Sequence, residues 1–291
     1  MLHFTVFVWG FTAILGELIT LEALPLVWYR MLFAAITLFF YLIYMKRKFN
    51  VGKNKILTLL GIGALVGLHW LFFFASIKAS TVSVALVCLS SATLFTSLLQ
   101  PILRREKILL LEIFVGVIIL LGIFMIFHFE TQYTEGILWG LSAAFMASFF
   151  TILNEKVVKT TKAGIISFYE MIGGFALMTL VILLFTDKTS TLDFNLSKED
   201  YIYLILLSTV CTAFAYVLGV RVMEKLSAYT VVLTTNLEPI YGIILAFIFF
   251  GETEKMTPGF YLGGLIILLG VFLYPLLNKK RAKRLLSRKM H

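Results

Sequence analysis

Residues 116–125 read GVIILLGIFM and residues 264–273 read GLIILLGVFL, identical at seven of ten positions. Each stretch closes a run of five long apolar segments, so the chain reads as one five-helix unit written twice. Five is an odd number, and a second copy of an odd-numbered unit enters a membrane from the opposite side. The expected fold is an all-α integral membrane protein with ten transmembrane helices arranged as two inverted five-helix repeats. The first repeat is expected over 1–130 and the second over 131–278, with a basic cytoplasmic tail at 279–291.

Composition leads to the same class. Of 291 residues, 60% are hydrophobic and 14% charged, and the mean hydropathy is +0.97. A soluble domain keeps roughly a quarter of its residues charged. A helical span needs about 20 apolar residues. Breaks at charge clusters, Pro and Gly place spans near 2–20, 26–45, 56–77, 83–103 and 109–127, then 136–155, 164–186, 201–220, 228–250 and 259–277. The longest connection, 187–200, is too short for a domain. The first span lacks a basic leader and a small-residue cleavage site, so it is expected to stay in the mature protein.

Lys and Arg set the orientation. With the N-terminus inside, cytoplasmic segments hold 20 basic residues; outer loops hold only Lys78, Lys188, Lys198 and Lys255. Both termini are therefore expected in the cytoplasm. The net charge of +9 belongs to that face and implies no nucleic-acid partner, although the tail could touch anionic lipid. Cys88 and Cys211 fall inside spans, so neither a disulfide nor a metal is expected, and no cofactor is implied. Trp28, Tyr41, Tyr44, Tyr201 and Tyr203 read as interfacial anchors.

The two copies align position by position. Trp9-Gly10 matches Trp139-Gly140, and Glu106 matches Glu252 at a shift of 146, which pairs Ser90 with Asn236. Spans four and nine are thus mates, and both are polar. Ser83, Ser90, Thr93, Ser97 and Gln100 form one helical stripe; Thr230, Thr234, Glu238 and Tyr241 form another. Lipid offers such groups no partner, so the stripes face other helices or a wet cavity, or bond back to their own helix. Gly63/Gly67, Gly136/Gly140 and Gly259/Gly263 are close-packing pairs.

Ionisable groups inside a bilayer need a reason, because each costs about 2.5–3.5 kcal/mol at its centre on insertion scales. Glu238 lies close to the midplane of its span and Pro239 follows it, disrupting the bond to the Thr235 carbonyl. It reads as a proton or cation site, or as a carboxyl bonded between helices. Arg30 and Glu17 sit at similar depth on adjacent antiparallel spans. A pair between them would be a static lock, an outer gate or a contact for a carboxylate. His69 and Trp70 share that outer half; His69 reads as an interhelical donor or a proton relay. Glu170 aligns with Arg30 across the repeat and reads as the opposite gate. Glu112, Lys78 and Glu155 lie near span ends, where they are expected to reach the headgroups.

These residues carry a family resemblance. The early Trp-Gly, Leu24-Pro25 to Arg30-Met31-Leu32, and Leu237-Glu238-Pro239 followed by Gly251-Glu252 resemble the EamA family of the drug/metabolite transporter superfamily. The likeness covers nearly the whole chain in two copies. It implies ten helices around a central cavity, alternating access, and export of amino acids or other small metabolites, with Arg30, Glu238 and Pro239 on the helices around the cavity. The first copy departs from the family at Ser91-Ala92-Thr93, where a proline is often found, and at Glu106, which follows Arg104-Arg105 instead of glycine.

The expected function is a carrier in a bacterial-type inner membrane for a small polar or amphipathic metabolite, working outward. Glu238 is the expected coupling or substrate-ammonium site. Ser90, Thr93, Ser97, Thr234 and Asn236 line the path, and Tyr241 and Trp70 stack on apolar parts of the substrate. A passive facilitator and a lipid-type flippase are the alternatives on the same fold. No H-E-x-x-H, paired-aspartate or G-x-S-x-G pattern points to an enzyme. Two halves in one chain leave both monomer and homodimer open.

Overall fold

A computed structural model of the chain describes residues 1–47, 49–105, 110–185 and 196–289. The described elements are helical: α1 (Leu2–Leu18), α2 (Ala23–Tyr44), α3 (Lys53–Ala79), α4 (Val82–Leu89), α5 (Ala92–Arg104) and α6 (Leu110–Phe129). They continue as α7 (Thr134–Val157), α8 (Ala163–Phe185), α9 (Lys198–Leu206), α10 (Ala215–Val222), α11 (Ala228–Thr235), α12 (Glu238–Phe250) and α13 (Pro258–Lys289). A π-helical stretch, Leu207–Phe214, joins α9 to α10 without a gap. Helices suit this composition because hydrocarbon offers the backbone no partner, so each segment satisfies its own N–H and C=O groups.

Among the described residues, seven helical stretches are long and apolar enough to cross a membrane, and three shorter apolar helices accompany them at Leu2–Leu18, Phe114–Phe129 and Pro258–Gly270. The chain is a multi-pass membrane protein. Its outer surface bears this out: Val117, Leu120, Leu121 and Phe124 stand exposed along one face of α6. Glu106, Lys107 and most of the 187–200 connection lie outside the described residues, as do the side chains of Glu112 and the basic tail.

Glycines let the helices touch. A Cβ on Gly63 would collide with the Glu170 backbone, and one on Gly174 with the Gly63 carbonyl, so α3 and α8 pack nearly backbone to backbone, with the Met31 side chain of α2 seated against Gly174. The two repeated stretches pack on each other. Gly122 meets Ile267, Gly270 meets Ile119, and Ile126 meets Gly263. Residue numbers rise on α6 as they fall on α13, so these helices run antiparallel. The Gly122–Ile267 contact becomes the Ile119–Gly270 contact when each residue is exchanged for its repeat mate.

Spans four and nine are each broken, α4 from α5 at Ser90-Ser91 and α11 from α12 at Asn236-Leu237. Proline was expected to loosen the second by disrupting the bond to Thr235. Instead, Pro239 is the second residue of a new helix that starts at Glu238, where a missing N–H costs little. The first break has no proline, and Ser91 Oγ donates to the Cys88 carbonyl there (2.6 Å). The spans cross antiparallel, with Asn236 Nδ2 donating to Thr93 Oγ1 (2.6 Å) beside the breaks.

Buried carboxylates hold the helix ends. Glu254 accepts from the N–H groups of Val82 (3.0 Å) and Ser83 (2.9 Å) at the start of α4. Glu155 accepts from the Ala228 N–H (2.8 Å) at the start of α11 and pairs with Arg104. Glu155 does not reach for headgroups as expected: it is only 8% exposed, because three helix ends converge on it. Lys78 turns to the Ile19 carbonyl (2.8 Å), and Trp28 donates to Thr179 Oγ1 (2.9 Å) instead of anchoring at an interface.

Candidate substrate site

The π-helical stretch is what gives Arg30 its partner. Its wider turn lets Thr212 Oγ1 donate to the Leu207 carbonyl five residues back (2.7 Å) while accepting from Arg30 Nε (2.7 Å). The guanidinium lies 3.8 Å from the centroid of the Trp70 ring, a stacking worth about 0.5–2 kcal/mol. Arg30 is 1% exposed, and its Nη1 is left without a protein acceptor.

Arg30 lines a cavity whose empty space, open mouth included, is about 910 Å³. Glu238 and Pro239 line it at the start of α12, and Ser90 and Asn236 line it at the two breaks. Trp9, Trp70, Phe73, Phe150 and Tyr216 supply aromatic wall, and Thr12, His69, Thr151 and Asn154 supply further polar groups. Arg30 and Glu238 both line the space. The cavity therefore presents a guanidinium, a carboxyl and aromatic sides. Among the described residues no cluster suits a metal ion.

The expected residues divide into three groups. Arg30, His69, Trp70, Ser90, Asn236, Glu238 and Pro239 come together on the cavity wall. His69 Nδ1 is bonded to the Ala143 carbonyl between helices (2.9 Å). Thr93 and Glu170 stand behind the wall, Thr93 bonded to Asn236 and Glu170 to Tyr216 (2.8 Å).

Ser97, Thr234, Tyr241 and Glu17 are not on that wall. Ser97 and Thr234 bond back to the Leu94 and Thr230 carbonyls of their own helices, each at 2.8 Å. Tyr241 packs edge-on against the Phe7 ring, 5.5 Å between centroids. Glu17 is exposed and does not pair with Arg30, which the π-helical turn draws to Thr212.

Sequence reasoning missed Trp9, Thr12, Asn154, Thr212 and Tyr216. Thr212 and Tyr216 are spaced by four and Trp9 and Thr12 by three, a helical-face signal as clear as the stripes that were read. Asn154 gave less warning, since it sits beside charged residues at a span end.

Comparisons with known proteins agree with this architecture. The profile of the EamA-like transporter family matches residues 1–128 and again 134–275. An "uncharacterized transporter" of Archaeoglobus fulgidus is 24% identical over 286 residues, covering 94% of this chain and 95% of that protein. A second from the same organism is 23% identical over 202 residues (68% and 69%). The uncharacterized transporter YxxF of Bacillus subtilis is 24% identical over 206 residues (69% and 64%). A solved crystal structure superposes with a TM-score of 0.69 at 14% identity, over 95% of this chain and 96% of that one, a likeness of fold alone.

Proposed function

Because the chain belongs to the EamA-like transporter family, we propose that it is a secondary carrier exporting small zwitterionic or amphipathic metabolites, amino acids among them. The observation that carries this reading is the cavity, bordered by both helix breaks and lined by a guanidinium and a carboxyl. A zwitterion supplies both missing counter-charges. Its carboxylate would meet Arg30, whose Nη1 lacks an acceptor. Its ammonium would meet Glu238, and the aromatic wall would take its apolar part.

Transport would proceed by alternating access, two five-helix halves rocking around the cavity. Support for ten spans in two inverted repeats comes from the antiparallel packing of α6 on α13, from the paired breaks, and from the double family match. The distribution of Lys and Arg supports cytoplasmic termini in an inner membrane, with the tail at 279–291 facing anionic lipid. One chain contains both halves, so the working unit is a monomer or a homodimer of complete sites.

Uptake of a labelled amino-acid and metabolite pool into proteoliposomes, with and without an imposed pH gradient, tests the reading. Gradient-stimulated uptake of a zwitterion is the expected result. Counterflow indifferent to the gradient would mean a uniporter, and no uptake of any compound would overturn the substrate class.

A further inference from the structure

Behind the aromatic wall stands a carboxyl that substrate cannot touch. Glu170 on α8 is 0% exposed. Its Oε2 accepts from the Tyr216 hydroxyl on α10 (2.8 Å) and from Asn154 Nδ2 on α7 (3.4 Å). Asn154 Nδ2 also lies 3.1 Å from the Tyr216 oxygen, closing a triangle of three side chains from three helices. Tyr216 and Asn154 both line the cavity; Glu170 does not.

The donor count of this triangle does not close. Among the described residues, Glu170 Oε1 and Asn154 Oδ1, both buried, find no partner. Buried acceptors are ordinarily paired. A carboxylate and an amide oxygen are acceptors only, so the triangle lacks a donor.

Nor does a cation among the described residues neutralise it. From α10 the titratable neighbour is Tyr216 itself, and on α7 Glu155 is turned to Arg104 and Ala228. The α3 helix presents Gly63 at the Glu170 backbone, while its His69 is bonded to Ala143. Arg30 of α2 is held by Thr212, and Tyr169 of α8 donates to the Phe49 carbonyl (3.0 Å). Glu238 lies on the cavity wall.

We propose that Glu170 is a proton-binding site, connected to the cavity through the Tyr216 hydroxyl, and that it carries the coupling proton. One proton supplies the missing donor. Added to the carboxylate it gives a neutral acid whose O–H can be accepted by Asn154 Oδ1 once that amide turns over. Tyr216 relays without net change, taking a proton on its oxygen from the cavity side as it passes its own to Glu170. Occupancy then alters the bonds among α7, α8 and α10 where the cavity wall is built. Glu238 is left free for the substrate's ammonium. The inference rests on the carrier reading given above.

Infrared titration of the purified full-length protein in lipid nanodiscs, without substrate, tests it independently of transport. A protonated-carboxyl C=O band that rises on acidification is expected, absent in Glu170→Gln. In Tyr216→Phe the band shifts in frequency, because the carboxyl loses the hydroxyl bonded at its Oε2. No titrating band in the wild type, a band unchanged in Glu170→Gln, or one unmoved in Tyr216→Phe would each overturn the assignment, the last even where Glu170→Gln fails to fold. In proteoliposomes Glu170→Gln is expected to keep counterflow and lose gradient stimulation; retained stimulation would sink the coupling role. A wild type that transports nothing would defeat the carrier reading while the infrared result still stood.

Discussion

Glu238 opens α12 at the cavity wall and makes no ion pair among the described residues, although Arg30 shares the same space. A carboxyl kept there against a cost of about 2.5–3.5 kcal/mol on insertion scales needs a visiting partner. Glu238→Gln preserves volume and removes charge. With the proton held at Glu170, this variant should raise the KM for an ammonium-bearing substrate about tenfold, the loss of roughly 1.4 kcal/mol of binding. It should leave the ratio of uptake with and without a pH gradient unchanged. Initial-rate uptake across substrate concentrations checks both. A lost gradient response with unchanged KM would return the coupling role to Glu238. Glu238 was legible in the sequence because nothing but function or pairing excuses a mid-span carboxyl. Glu17 misled for the opposite reason: depth and adjacency allowed a pair with Arg30, but the π-helical turn supplied a nearer acceptor.

The breaks of spans four and nine create helix starts, and each upstream half is held by a buried carboxylate. Glu254 binds two N–H groups at Val82 and Ser83, and Glu155 binds Ala228, which is the repeat mate of Val82 at a shift of 146. Carboxylates favour helix N-termini because unpaired N–H groups and the helix dipole converge there. Glu254→Gln leaves one acceptor and introduces a donor facing an N–H group. It should lower stability by about 1–3 kcal/mol, read as a lower Tm in detergent, with Glu252→Gln as a near-neutral control. Glu252 is exposed and pairs with Lys255 (3.1 Å). The repeat and the family resemblance both drew attention to Glu252, whereas packing gives the structural task to Glu254, two residues on. Pro239 announced the second break, but nothing in Ser90-Ser91 announced the first. Its location follows from the partner span, whose Asn236 bonds to Thr93 beside it.

For the molecule as a whole, orientation is the property most open to a direct check. Single cysteines at Lys162 and Lys255, placed in a background lacking Cys88 and Cys211, should react with a membrane-impermeant maleimide from opposite faces. The expected result is labelling of Lys255→Cys in intact cells and of Lys162→Cys only in inverted vesicles. Labelling of both from one side would overturn the odd number of spans between them. The sequence by itself determined the membrane class, the helical elements and the duplication, because hydropathy and a seven-in-ten repeat are local properties of the chain. It also singled out Arg30, His69, Trp70, Asn236 and Glu238, since polar groups in apolar spans stand out one residue at a time. Only the tertiary structure decided which polar groups meet. Ser97 and Thr234 could satisfy themselves on their own helices, while Asn154, Glu170 and Tyr216 come from three helices and converge through glycine-mediated packing. Periodicity records which face of a helix is polar. The neighbour that face receives depends on how closely the helices approach and where they break.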